Sequence, residues 1–160
     1  MSSDTSIADI NWDVHEVQAV EHPKNQQLLA SYEANRPDGG LPNRGSFDLI
    51  DLKDIAPGLL IVEQVPEDEG LIRYRLIGSE IEERTKVAFT GKSPEIFGQA
   101  MSEELRSIYR RIFANHRPVM LRGNLLGLGI EHVDYEMVFL PVMSRDDTRV
   151  DAICGMFAFN

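Results

Sequence analysis

The segment 58-GLLIVEQVPEDEGLIRYRLIGSEI-81 decides the fold class. Two β-rich runs, 58–65 and 71–77, flank the polar turn 66-PEDEG-70, the signature of an antiparallel hairpin with a five-residue loop. Registered through that turn, Val65 faces Leu71, Glu63 faces Arg73 and Ile61 faces Arg75. Successive side chains point to opposite faces of a strand. Leu60, Val62 and Gln64 therefore share a face with Ile72, Tyr74 and Leu76, and this apolar face is expected to meet helices. The arginines fall on the other face with Leu59, Ile61 and Ile77. Glu63–Arg73 is expected to be a cross-strand ion pair, worth ~0.2–1 kcal/mol if exposed. Arg75 is left without an obvious partner. Gly78-Ser79 ends the strand, and Ser79 with Glu82 has capping-box spacing for a short helix over roughly 80–86.

Downstream, 90-TGKSPEIFG-98 leads to the longest helix, 101-MSEELRSIYRRIFAN-115. Met101, Leu105, Ile108 and Ile112 form one stripe there, with Tyr109 and Phe113 beside it. Strands over roughly 118–126, 131–141 and 149–158 close the chain, joined by the turns 127-GLG-129 and 144-SRDDT-148. In 131–141, one face carries His132, Asp134, Glu136, Val138 and Leu140, and the other carries Val133, Tyr135, Met137 and Phe139. The last strand is apolar on both faces: Val150, Ala152, Cys154, Met156 and Ala158 on one, Ile153, Gly155, Phe157 and Phe159 on the other. Such a strand is central and covered on both sides. Helix 101–115 is one cover. The second has to come from N-terminal helices, of this chain or of a second subunit.

Two helices are expected upstream of the hairpin. Ile7, Ile10, Val14 and Val17 fall on one helical stripe within residues 1–22, a stretch with five acids and no Lys or Arg. The second helix, 24-KNQQLLASYEAN-35, turns Leu28, Leu29 and Tyr32 inward and stops at 37-PDGG-40, and Pro23 fits the end of the first helix or the start of the second. A short turn-helix, 51-DLKDI-55, precedes the hairpin. The order implies an α+β fold: a five-stranded antiparallel sheet, helices on one face, and N-terminal helices over the other face or in a dimer interface. Residues 1–22 read as an acidic amphipathic arm and 23–160 as a single domain.

The formal charge of −10 argues against a nucleic-acid surface and against an anionic membrane surface. No apolar run approaches a membrane span, and the N-terminus lacks the features of a secretory signal, so the cytoplasm is the expected location. One cysteine, Cys154, excludes an intrachain disulfide framework. Its neighbours Ile153, Gly155 and Met156 are apolar, which favours a packed, inert thiol over a nucleophile. His132, Asp134 and Glu136 are metal-ligand types on one strand face, but a half-solvated polar face explains them better, and no metal is expected. Gly127-Leu-Gly129 joins strands and opens no helix, so it is no phosphate loop. No Ser-His-Asp, inward carboxylate pair or Cys-His arrangement can be assembled, and the chain is not expected to be an enzyme.

The stretches 41-LPNRGSFD-48, 73-RYRLIGSEI-81, 90-TGK-92 and 135-YEMVFLPV-142, in that order, resemble the single-domain PAS-like family common in alphaproteobacteria, over roughly residues 26–159. Leu49 stands where the family leads one to expect proline, and Lys86-Val87-Ala88 stands at a Gly-Arg-Asp-like turn. The resemblance implies a sensory or protein-interaction module that binds small ligands between sheet and helices and dimerises through N-terminal helices. The Asn-Cys-Arg-Phe motif of flavin-adduct relatives is missing from the region of 90–98. Haem-binding relatives use a histidine of the long helix, whereas His116 lies past its expected end, where helix capping explains it. The cofactor is thus unknown, and haem is disfavoured.

The expected function is a stand-alone PAS-type sensory module that binds a small molecule, a partner protein or both, and acts as a homodimer. The alternatives are a small α+β-cone enzyme of the ketosteroid-isomerase kind, or a ligand-free interaction scaffold. Tyr74, Tyr109, Tyr135, Met137 and Met156 are the ligand-pocket candidates, with ordinary core packing as the competing explanation. Arg75, Arg122 and Asn124 are candidate polar contacts, with Ser93 a further handle.

Overall fold

The computed structural model describes residues 11–45, 52–65, 68–85, 88, 90–97, 99–126 and 134–159. Six strands form one antiparallel sheet: β1 (Asn11–Glu16), β2 (Leu59–Val65), β3 (Asp68–Ile77), β4 (Val119–Leu126), β5 (Tyr135–Met143) and β6 (Val150–Phe159). Among the described residues three α-helices accompany them: α1 (Pro23–Ala34), α2 (Ser79–Thr85) and α3 (Gln99–Asn115). The sheet order is β1-β4-β5-β6-β2-β3. The five expected strands are all present, and the α+β class holds. The 127-GLG-129 turn, His132, and the Leu49 and Lys86-Val87 departures lie outside the described residues.

One expectation for the N-terminal region fails. Asn11–Glu16 is a strand, not part of a helix, and it pairs antiparallel with β4 from Asn11–Leu126 to Glu16–Leu121. Val14 lies on the helical stripe, but it also alternates with Asp13 and His15 at the period of a strand. The unpaired edge of β4 decides between the periods by satisfying the backbone of 11–16. Gly123 permits the approach, since a Cβ there would collide with the Asp13 carbonyl oxygen.

The hairpin holds its central register, with Glu63 opposite Arg73, but it is bulged on both sides. Ile61 pairs with Leu76 and Val62 with Tyr74, so Arg75 is the extra residue of a β-bulge. A bulge reverses the alternation beyond it. Ile77 therefore enters the core, and Leu76, expected inside, is 38% exposed. The second bulge pairs Val65 with Asp68 in place of Leu71 and shortens the turn. On the outer edge of β3, the Tyr74 N–H donates to the Lys92 carbonyl (2.9 Å) and the Gly91 N–H to the Tyr74 carbonyl (2.6 Å), so the 90-TGK-92 loop covers part of that edge.

Both faces of the sheet are covered within the one chain. On the inner face, α2 and α3 enclose Leu60, Val62, Ile72, Tyr74, Leu105, Tyr109, Ile112, Tyr135, Met137, Phe139 and Ile153. On the outer face, α1 and the Leu52–Gly58 segment enclose Leu59, Val138, Leu140, Val142, Ala152 and Met156. The doubly apolar pattern of β6 is thereby explained. Pro23 occupies the first turn of α1, and the His22 Nδ1 caps it by accepting from the Lys24 N–H (3.1 Å). Asn25, Leu28 and Tyr32, at i, i+3 and i+7, are all fully buried against the sheet, while Leu29 is only partly buried.

Candidate functional site

Of the five pocket candidates, four share the inner face. Tyr74 and Tyr109 meet at their hydroxyls (2.9 Å) with rings at 82°. The Tyr109 ring stands edge-on to Phe139, with centroids 5.5 Å apart. Tyr135 reaches along the sheet, its hydroxyl donating to the Asn124 carbonyl (3.1 Å). Met137 is buried in the same cluster. Burial pushes the phenol of Tyr74 up, with Tyr109 adding to the effect. Burial also raises Tyr109, against a smaller opposing effect of its bond to Tyr74. Both phenols stay neutral at any physiological pH. Met156 does not join this group: it stands opposite Leu59 and Val138 and is buried with them on the outer face, on the α1 side.

The outer face holds a polar site around Glu136 that residue types and spacing alone do not reveal. Glu136 is only 1% exposed. Its carboxylate accepts from the Glu21 N–H (2.8 Å), the His22 N–H (3.0 Å), the Asn25 Nδ2 (3.0 Å) and the Arg122 Nη2 (2.7 Å). Asn25 Nδ2 also donates to the Glu136 carbonyl (3.2 Å). Burial alone would push the Glu136 pKa up. The Arg122 guanidinium, the Glu21 amide, Asn25 and the His22 amide outweigh it and hold the group at about 2. The carboxylate is therefore charged, and it ties the N-terminal end of α1 to β4 and β5. With Nδ2 committed to Glu136, Asn25 Oδ1 is buried without a hydrogen-bond partner among the described residues.

The candidate polar contacts separate accordingly. Arg122 stands directly across from Glu136 in the β4–β5 register and also lies 3.7 Å from Glu21. Asn124 Nδ2 donates to Asp134 (2.8 Å). Arg75 is exposed on its bulge, and Ser93 Oγ donates to Glu95. Asp134 is exposed and bonded to Asn124, while Glu136 is saturated by N–H donors, so the two carboxylates form no joint ligand set. No group of three His, Cys, Asp or Glu that could hold a metal occurs among the described residues. His116 adopts a left-handed φ of 57° and donates its N–H to the Ile112 carbonyl (2.9 Å), ending α3. A ketosteroid-isomerase-like cone would need an Asp or His on the inner face. The buried polar or charged residues among those described are Asn25, Ser102, Glu136 and Ser144, and none is an Asp or His. The strand position of Cys154 is described, opposite Ile61 and Leu140, but its side chain lies outside the described set.

An antiparallel sheet with β2 and β3 before the long helix and β4 to β6 after it defines a class of α+β domain. The chain matches the family model for a PAS domain over residues 20–158. It belongs to the PAS-domain family. No curated protein matches it. A solved structure of an RNA-binding Light-Oxygen-Voltage receptor is similar at 15% identity with a TM-score of 0.49, covering 91% of this chain and 38% of that one. The chain thus spans well under half of that receptor's chain. No helix among the described residues is long and apolar enough to cross a membrane.

Proposed function

We propose that the chain is a PAS sensory module of the cytoplasm, in which a small molecule on the inner face, a partner protein, or both change the seating of α1 on the outer face. Tyr74, Tyr109, Tyr135 and Met137 form the ligand-facing group in this reading, and the α1 side carries the signal to a second copy or a partner.

The observation that supports it is the alternation along β5. Tyr135, Met137 and Phe139 face the inner cluster, while Glu136, Val138 and Leu140 face α1. A displacement of β5 on one face is necessarily a displacement on the other, because packed side chains on one backbone do not move independently. Glu136 converts such a shift into altered hydrogen bonds at the start of α1. A ligand moves this equilibrium only by binding one seating of α1 better than the other.

Native mass spectrometry of the chain purified from its own host tests the reading. A dimer, a retained small molecule or a co-purifying partner is expected. A bare monomer with none of these would overturn it.

A further inference from the structure

A second site lies away from both cores, where the β5–β6 turn meets the segment before β2. We propose that the pocket bounded by Arg44, Ser144, Arg145, Asp146 and Arg149 binds a small oxyanion of the phosphate type, free or carried on a small molecule. The pocket has a volume of about 290 Å³. That is near the lower end of ligand pockets, roughly 300–1,000 Å³, and suits a phosphoryl group with a short carrier.

One asparagine ties the segment before β2 to the β5–β6 turn. Asn43 Nδ2 donates to the Ser144 carbonyl (2.7 Å), the Arg145 carbonyl (3.1 Å) and Asp147 Oδ1 (2.8 Å), and its Oδ1 accepts from the Gly45 N–H (2.7 Å). The Arg44 N–H donates to the Met143 carbonyl (2.9 Å), and the Met143 N–H to the Pro42 carbonyl (2.8 Å). This stitching places Arg44 beside a turn a hundred residues away in sequence.

Charge is the second argument. The chain carries −10 overall and has 16 Lys and Arg, yet three arginines border this one small pocket. Like charges so placed repel, and a shared anion relieves the repulsion. The acid in the pocket, Asp146, forms no ion pair with Arg145 or Arg149 among the described residues. Asp146 Oδ1 accepts from Ser144 Oγ (2.5 Å), Thr148 Oγ1 (2.7 Å) and the Thr148 N–H (3.2 Å). Arg44 lies 3.6 Å from Glu63, whose closer partner is Arg73 at 2.7 Å. Neither Arg145 nor Arg149 has a carboxylate within ion-pair reach among the described residues. Their planar guanidinium forks match the oxygens of a phosphate in two-point contacts.

The test is calorimetric titration of the full chain with inorganic phosphate and, separately, with glycerol 3-phosphate, at an ionic strength held constant with sodium chloride. Saturable binding of either probe is expected, and the tighter of the two identifies the free or the carried form. Arg145→Ala and Arg149→Ala should each weaken it about tenfold, as expected for loss of one charge-assisted contact, and the double variant should abolish it. Both arginines are exposed, so the variants should keep the wild-type thermal midpoint. Arg110→Ala, which removes an exposed charge from α3, should bind as the wild type does. Absence of saturable binding of both probes, or binding unchanged in the double variant, would overturn the proposal.

Discussion

Glu136 is a carboxylate taken out of water and surrounded by donors. Its folded pKa of about 2 lies below the ordinary value of 4.5, so the native state holds this proton more weakly than the unfolded chain does. The stabilisation it gives is complete above about pH 4.5 and is lost as the pH falls toward 2. Glu136→Gln should cost roughly 2–4 kcal/mol at pH 7, because Arg122, Asn25 and the Glu21 and His22 amides all lose a charged acceptor. Urea unfolding at pH 7 and pH 3 should show a smaller pH dependence in the variant than in the wild type. On the inner face, Tyr74→Phe leaves the Tyr109 hydroxyl buried without its partner and should cost about 1–3 kcal/mol. The Tyr74→Phe/Tyr109→Phe double variant should cost less than the two single changes summed, measured by the same unfolding curves. The sequence placed Glu136 in a polar set with His132 and Asp134. The signal that separates it is local: Val138 and Leu140 lie on its own face, and Arg122 stands across the strand. Finding that partner requires the β4–β5 register.

At the scale of elements, the apolar patterns located α1, α3 and all five expected strands, because the helices bury one stripe each and the central strands β5 and β6 bury both faces. The misses have physical causes. Period-2 and period-3.6 patterns coincide over short segments, and the open edge of β4 decided for a strand at 11–16. Bulges carry no composition signal of their own, so Leu76 and Ile77 exchanged places at Arg75. Arg75→Ala should change stability by less than about 0.5 kcal/mol, since the side chain projects from the bulge into solvent. Gly78, by contrast, is pressed against the Pro57 backbone, and a Cβ would collide with the Pro57 carbonyl oxygen. Its N–H also donates to the Leu59 carbonyl (2.7 Å). Gly78→Ala should cost about 2–4 kcal/mol, read from thermal or urea midpoints, because the segment before β2 must move.

For the whole molecule, the decisive feature is a sheet with a core on each face. The doubly apolar β6 made two covers legible in the sequence, but whether the second came from this chain was not, since a helix of a partner satisfies the same pattern. The structure supplies it in cis, through α1. Removing residues 1–22 takes away β1 and two of the amides bound to Glu136, exposing the β4 edge. The truncated chain should lose stability or change its mass in solution, as light scattering and unfolding curves would report. In the proposed function, the two faces communicate through β5. A double-mutant cycle of unfolding free energies across the sheet, pairing Tyr109→Leu on the inner face with Asn25→Ala on α1, tests it most directly. A coupling of at least about 0.5 kcal/mol is expected, and additivity within about 0.3 kcal/mol would contradict communication through β5.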